Sequence, residues 1–565
     1  MNKHLNNFRI ISKNQIKKLC FVFSVMIISV FLDVLSIGSL IPIFNELTNV
    51  GQAGVYNRYL EKFTSIFKFE YSIILFSILT FILFSLKNLF IFFYIKISSN
   101  FFSYLTIYHQ EKILQNYLNS PFIFFSKKTS SFFLREILDE IKQLNSFYIQ
   151  PIMAIILNIL TILFFTIFLF NINFLYTSVL ISFSIIFYFI FAFTYKNKIE
   201  FFGEQRRIMN YKMVDNVKQM FEGFRELKIY NKKNLFIMDL KKRFNRMANV
   251  NVARSLISNI PKLFLEVILV FMFLIIILYN NDNNSEQHFA TIGVFTASAF
   301  RIMPNIISLI RSYQRMNYSE TALQNILPVL DKNTFDQKAN YSENLKFEKN
   351  LELKGIDFFY EKEKEIFKDL NIIIDKNSCI GIKGESGSGK STLVDILCGF
   401  LDINKGKILI DNEEKKIYES QSWLDKISYI QQSVYIFDSS IFTNISLEKE
   451  IEKIDKDLVN KILHQLNMIE FNNNDKISLG ELGSKISGGQ AQRIGIARAL
   501  YRESEILIFD ESFNSLDQKN HKIILDLINK LKKNKTIIII SHNDKDFLPC
   551  DKIYEIRNHK IIKQD

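Results

Sequence analysis

The sequence predicts two unlike parts. An α-helical transmembrane bundle of six spans, with long cytoplasmic helix extensions, occupies residues 1–320. A polar linker at 321–350 leads to an α/β domain at 351–565. Three observations carry this division. Residues 151–194 contain no Asp, Glu, Lys or Arg, and two spans of ~20 apolar residues fit inside that run. Apolar spans then stop near Tyr318. Beyond them, residues 384–391 read Gly-Glu-Ser-Gly-Ser-Gly-Lys-Ser between a strand-like and a helix-like segment.

Composition bounds the class. Hydrophobic residues make up 48% and charged residues 22% of 565, which excludes a disordered chain. The net charge of +13 suits a nucleic-acid binder or a membrane protein with a basic cytoplasmic face. Four cysteines, Cys20, Cys379, Cys398 and Cys550, are too scattered for a disulfide framework and read as reduced thiols.

The spans follow in order. Residues 21–44 are apolar except for Asp33, and residues 72–95 carry one charge, Lys87. The run 151–194 breaks at Asn171-Ile172-Asn173 into two more. Residues 263–279 carry only Glu266, with Pro261 just before them. Residues 289–310 carry Arg301 and Pro304. Lys and Arg placement orients them. Lys3, Arg9, Lys13, Lys17 and Lys18 put the N-terminus inside, whereas the loop at 280–287 has acids and no Lys or Arg and lies outside. The start does not read as a cleaved signal peptide. Between the first two spans, Tyr59, Leu60, Phe63, Ile66 and Phe67 share one face of a short helix. That helix either lies on the outer membrane surface or packs on the bundle. Helical patterning continues through the inner segments 97–145 and 196–250, so the spans project beyond the bilayer. Within them, residues 121–127 and 221–231 read as turns, either points that pass a signal or solvated bends.

The chemistry sits in the second half. Gly384, Gly387 and Gly389 free the backbone N–H groups to face phosphate oxygens at a helix start. Lys390 reaches the β/γ-phosphates and Ser391 a Mg²⁺ ion, with Thr392 next in the helix. Residues 506–511 form an apolar strand ending in two acids. Asp510 is placed to bind Mg²⁺ and Glu511 to act as general base on water. These motifs predict an α/β P-loop nucleotide-binding domain with an acid placed to activate water.

Between these motifs, Ile486-Ser487-Gly488-Gly489-Gln490 resembles the signature of ABC transporters, with Ile at its first position. The resemblance implies further roles. Tyr360 corresponds to the aromatic that stacks on adenine. Gln432 corresponds to the Q-loop glutamine beside Mg²⁺ and the attacking water, although Gln431 replaces the usual Pro. Gly480-Glu481-Leu482-Gly483 matches the short exporter motif, Asp517 the D-loop aspartate, and His542 the switch histidine. It also implies that the phosphate loop of one subunit faces Ser487, Gly489 and Gln490 of another. One nucleotide domain and six spans per chain imply a homodimer with two ATP sites, in the inner (plasma) membrane of a bacterium with the nucleotide domains cytoplasmic. The segments 121–127 and 221–231 fall where exporter coupling helices fall.

Substrate clues lie in the spans. Lys87, Arg301 and Arg311 sit in or near membrane depth, where charges are costly and usually face a cavity. A basic cavity with Phe-rich walls suits an anionic amphiphile. The alternative readings are pairing of Lys87 and Arg301 with Asp33 or Glu266, and snorkelling of Arg311 to the interface. Ala299-Phe300-Arg301-Ile302-Met303-Pro304, Ser312-Tyr313 and Asn57-Arg58-Tyr59-Leu60 resemble PglK-type flippases of lipid-linked oligosaccharides. Where that family places a second basic residue, this chain has Ser308, and Arg311 follows about one turn later. Two expectations stand: a flippase for a polyprenyl-pyrophosphate oligosaccharide or similar glycolipid, and an exporter of peptides or hydrophobic compounds. The uncharged run argues against a soluble ABC ATPase acting on DNA or ribosomes.

Overall fold

The computed structural model describes residues 13–40, 43, 73–171, 174–279, 285–331, 344–360, 365–472, 475 and 477–564. The short helix expected around 59–67, the segment 57–60, Lys3 and Arg9, the loop 280–284 and linker residues 332–343 lie outside the described residues. The chain divides into two compact units, residues 1–119 with 128–333, and residues 120–127 with 334–565.

The first unit is helical. Its long helices are Lys13–Gly38, Ile73–Leu118, Gln150–Phe170, Phe174–Glu222, Lys233–Tyr279 and Ser285–Asp331. Four of them have 46 to 49 residues, which at ~1.5 Å per residue is roughly 70 Å. A hydrocarbon core is ~30 Å thick, so such helices extend well past it, as the patterning of the inner segments predicts. Among the described residues, Gln15–Gly38, Ser77–Leu118 and Ser130–Phe170 are long and apolar enough to cross a membrane. Pro261 and Pro304 lie inside helices rather than at their ends.

Two packing features shape this bundle. The helix entering at Ser130–Arg135 passes through two π-helical turns, Glu136–Glu140 and Leu144–Ile149, before Gln150. Arg135, Glu136, Glu140 and Asn145 are buried there, and Arg135 pairs with Glu136 at 2.7 Å. Further along, a Cβ on Gly203 would lie 2.4 Å from the Tyr318 carbonyl oxygen, so only glycine lets these two helices approach so closely.

The second unit contains two sheets. In the four-stranded sheet, β1 (Asn350–Phe359), β2 (Glu365–Asp375), β4 (Lys405–Ile410) and β5 (Glu413–Glu414) lie antiparallel in the order β2-β1-β4-β5. The six-stranded sheet adds β3 (Cys379–Gly384), β6 (Ile427–Ile430), β7 (Ile506–Asp510), β8 (Thr536–Ile540), β9 (Lys552–Arg557) and β10 (Lys560–Gln564) in the order β10-β9-β3-β8-β7-β6. All its pairings are parallel except β9 with β10. Every residue of β7 and β8 is buried. That explains their unbroken apolar runs, because a parallel strand is covered on both faces. The short helix Phe122–Ser126 belongs to this unit. The Phe122 ring stacks on Phe400 with centroids 4.8 Å apart, and Ile123 packs on the core.

Candidate active site

Parallel strands end at one edge, and side chains that follow their carboxyl ends meet there. Register places Ile382 of β3 and Asp510 of β7 on either side of Ile540 of β8. Gly384, Asp510 with Glu511, and His542 therefore converge although up to 158 residues separate them in sequence. Gln432 joins them just beyond β6.

The phosphate loop turns sharply after β3. Gly387 and Gly389 have φ of +83° and +106°, a region glycine adopts without steric cost. A Cβ on Gly389 would also lie 2.8 Å from Phe367 and 2.9 Å from Ile366. One on Gly384 would lie 2.6 Å from Ser388 Oγ, which is itself buried with no hydrogen-bond partner. Lys390 opens the helix Lys390–Leu397. Its ammonium donates to the Gly384 and Glu385 carbonyls at 2.8 and 3.0 Å and lies 3.8 Å from Glu511 Oε1. A glycine-walled turn, an orphaned hydroxyl and a buried ammonium at a helix start fit the phosphates of a nucleotide.

Gln432 and His542 assemble around Glu511, the candidate general base. Gln432 Nε2 donates to Glu511 Oε2 at 2.8 Å, and His542 Nδ1 lies 3.9 Å from Oε1. Glu511 has φ of +47°, a strained conformation for a side-chain-bearing residue. Its own N–H bonds to the Ile540 carbonyl at 2.8 Å. Next to it, Asp510 is buried and accepts from the Tyr429 hydroxyl at 2.7 Å. Burial holds the Asp510 carboxyl above its usual range, with a further push from Glu511. Burial, and then the Asp510 charge, lift Asp395 to about 6. A divalent cation would relieve so much carboxylate in one place. The donors at hand, the Ser391 hydroxyl, the Gln432 carbonyl and the Asp510 carboxylate, are the hard oxygen ligands that Mg²⁺ prefers. Among the described residues no group of three His, Cys, Asp or Glu side chains offers a rival metal centre.

Tyr360 follows β1 half exposed, and its hydroxyl lies 3.1 Å from Thr392 Oγ1. That tie sequence reasoning did not foresee, and it positions the ring beside the phosphate-loop helix. Ser487 caps the helix Gly488–Arg502 in a reciprocal box with Gln490. A Cβ on Gly489 would lie 2.9 Å from the Ser515 carbonyl, so the signature glycine packs on its own D-loop. Gln490 also donates to Glu470 at 3.2 Å. Asp517 heads the helix Gln518–Leu531 and accepts from Asn520 at 2.5 Å.

The three membrane-depth cations divide: Lys87 and Arg301 share Asp33, and Arg311 lies elsewhere. Arg301 donates to Asp33 through Nε at 2.8 and 2.9 Å and through Nη2 at 2.5 Å. Lys87, 4% exposed, lies 3.3 Å from the same carboxylate. The pairing with Asp33 is therefore the one the structure makes. Glu266 is exposed and lies 3.8 Å from Lys262 instead. Arg311 stands apart and donates to Asn259 at 3.0 Å, while Ser308 accepts from Asn158 at 2.9 Å. The reason is electrostatic: a cation at low dielectric needs an anion within reach, and a single acid serves both bases. Also unforeseen is a layer of arginines on aromatic faces. Arg254 lies 4.1 Å and Arg206 5.2 Å from the Tyr318 ring centroid.

The sequence matches the ABC transporter transmembrane region over residues 35–299 and the ABC transporter family over residues 367–514. An ATP-dependent lipid A-core flippase of Wigglesworthia glossinidia brevipalpis is 29% identical over 483 residues, covering 80% of this chain and 79% of that protein. One of Saccharophagus degradans is 31% identical over 302 residues, covering 52% and 49%. These relatives do not single out the PglK-type flippases that the span motifs resemble. A bacterial Atm1-family ABC exporter solved with ATP bound shares the fold, with a TM-score of 0.80 at 16% identity over 97% of this chain and 95% of that one. With the phosphate loop, paired acids, signature and helical membrane unit in place, the chain belongs to the ABC transporters as an exporter-type half-transporter whose ATPase is coupled to transport.

Proposed function

We propose that two copies of this chain, in the inner membrane of a bacterium, use ATP with Mg²⁺ to move an anionic amphiphile outward. The substrate class is a lipid-linked oligosaccharide on polyprenyl pyrophosphate or a similar glycolipid. The observation that carries the substrate reading is the Asp33–Lys87–Arg301 group. Two cations on one carboxylate leave one net positive charge at membrane depth, and the Arg301 side chain remains 35% exposed. An anionic headgroup compensates that charge. The relatives' names, ATP-dependent lipid A-core flippase, agree with a lipid as the transported molecule.

At the nucleotide site, Lys390, Ser388 and the glycine-rich turn hold the phosphates. Ser391, Gln432 and Asp510 hold Mg²⁺, which supplies charge neutralisation on the phosphates. Gln432 orients Glu511, Glu511 accepts the proton of the attacking water, and His542 flanks the same carboxylate. Ser487, Gly489 and Gln490 of a second copy complete each site. Exposed Phe221, Phe224, Ile229 and Tyr230, between 58% and 77% exposed, offer that copy an apolar contact at the helix break around Gly223.

The test is ATPase stimulation in nanodiscs. A polyprenyl-pyrophosphate glycan or a lipid A-core glycolipid should raise the rate, and a neutral acylglycerol or a peptide should not. Stimulation by peptide alone would assign the exporter reading instead.

A further inference from the structure

A groove of about 440 Å³ lies between the first two long helices, near the start of Lys13–Gly38. Its floor is apolar, formed by Val22 and Phe101, which are 1% and 7% exposed. Phe21 and Tyr104, 58% and 68% exposed, form its walls. Lys17 and Lys18 stand at one end, both exposed, and the Lys18 ammonium lies 5.9 Å from the Tyr104 ring centroid. The pattern is local: 17 with 21, and 18 with 22, are i,i+4 pairs on one helical face.

Charge decides what this groove prefers. No Asp or Glu occurs in residues 1–32 or 71–110; the next acid along the second helix, Glu111, lies about two turns beyond Tyr104 and accepts from Gln115. Depth decides where the occupant comes from. The lysines immediately precede the apolar stretch that begins at Phe21, about one helical turn away, which is the level of lipid phosphates. The basic run places them on the cytoplasmic side. A groove that is cationic at the interface and aromatic toward the hydrocarbon is complementary to one kind of molecule, an acyl chain ending in a phosphate.

We propose that this groove binds an anionic glycerophospholipid of the cytoplasmic leaflet. The phosphate is held by Lys17 and Lys18, and the glycerol end of one acyl chain lies along Phe21, Val22, Phe101 and Tyr104. The groove's lining includes none of Asp33, Lys87 and Arg301, and the proposal does not depend on what the transported molecule is. Each lysine near an anionic surface contributes comparably, so both are needed for selection over a zwitterionic lipid.

Native mass spectrometry of the full-length protein, titrated with phosphatidylglycerol and with phosphatidylcholine, tests the proposal. The parent should bind phosphatidylglycerol preferentially, and Lys17→Gln with Lys18→Gln should weaken that binding roughly tenfold or more without changing phosphatidylcholine binding. Lys17→Arg with Lys18→Arg should retain it. Tyr104→Ala, which leaves both charges in place, should also weaken it, so a lysine variant that fails to fold leaves a second arm. Equal binding of the two lipids by the parent, or unchanged phosphatidylglycerol binding in both the glutamine and the Tyr104 variants, overturns the site. Glycerol phosphate binding as well as the lipid removes the acyl contact and overturns it too. Phosphatidylglycerol binding seen only after removal of residues 1–12 assigns the groove to that segment instead.

Discussion

Arg301 holds Asp33 through two of its nitrogens, at 2.5 to 2.9 Å, across 268 residues of sequence. With Lys87 on the same carboxylate, removing the acid strands two cations at low dielectric. Asp33→Ala should therefore destabilise the membrane unit more than Lys87→Ala does, by a further ~2 kcal/mol or more. Thermal unfolding in detergent checks this. If Lys87→Ala is the worse variant, Asp33 is not the hub.

Glu511→Gln should abolish steady-state ATP hydrolysis and leave ATP binding intact, because an amide cannot take the proton of the attacking water. Lys390→Ala should fail earlier, at binding, since a phosphate loses its charged partner. Turnover and nucleotide binding measured on the same preparations separate the two. Near-parent turnover in Glu511→Gln would remove Glu511 from the base role.

Ser487→Arg and Gly489→Asp should each stop hydrolysis without altering the phosphate loop of their own chain. The Gly489 change meets a second obstacle, the Ser515 carbonyl 2.9 Å from its Cβ position. Mixing a Ser487→Arg chain with a Lys390-defective chain should give at most one intact site per dimer. Full recovery in the mixture contradicts sites shared between copies.

Glu505 gives a pH-dependent prediction away from the nucleotide. Its carboxylate meets Lys426 at 2.6 Å and Lys376 at 3.4 Å. Partial burial pushes the carboxyl up, but the two lysines outweigh it and hold it below its ordinary value of 4.5. A depressed carboxylate contributes stability that is present above the unfolded-state pKa and lost as pH falls through the folded one. Because the group is partly exposed, the loss in Glu505→Gln at pH 7 should be only ~1 kcal/mol. Unfolding of the nucleotide domain, followed from pH 7 to below pH 4, should show the gap to the parent closing only below about pH 4.5. A gap that widens on acidification contradicts the ion-pair account.

The nucleotide site was legible because its chemistry is written in short, contiguous motifs. Gly384 to Ser391, Ser487 to Gln490 and Asp510-Glu511 each need only local spacing to be read. The apolar spans were legible for the same reason. What was not legible depends on distant partners. Asp33 was visible as a candidate counter-ion, but only packing shows that it takes both Lys87 and Arg301 while Glu266 takes neither. The burial of Arg135, Glu136, Glu140 and Arg206 also stayed hidden, since charges in an inner segment read as a solvated surface. The π-helical turns at Glu136–Glu140 and Leu144–Ile149 have no residue signature of their own. Residues 121–127 were marked as a turn that passes a signal, but the stacking of Phe122 on Phe400 needed the fold.

The most direct measurement is ATP-driven flipping in sealed proteoliposomes loaded with a fluorescent polyprenyl-pyrophosphate glycan, with ATP supplied on the nucleotide-domain side. Label should leave that leaflet in an ATP-dependent manner, a loss abolished by Glu511→Gln and reduced about tenfold or more by Arg301→Ala while basal ATPase persists. Label that stays in place under ATP hydrolysis, or that moves equally with the Arg301→Ala protein, contradicts the proposed function.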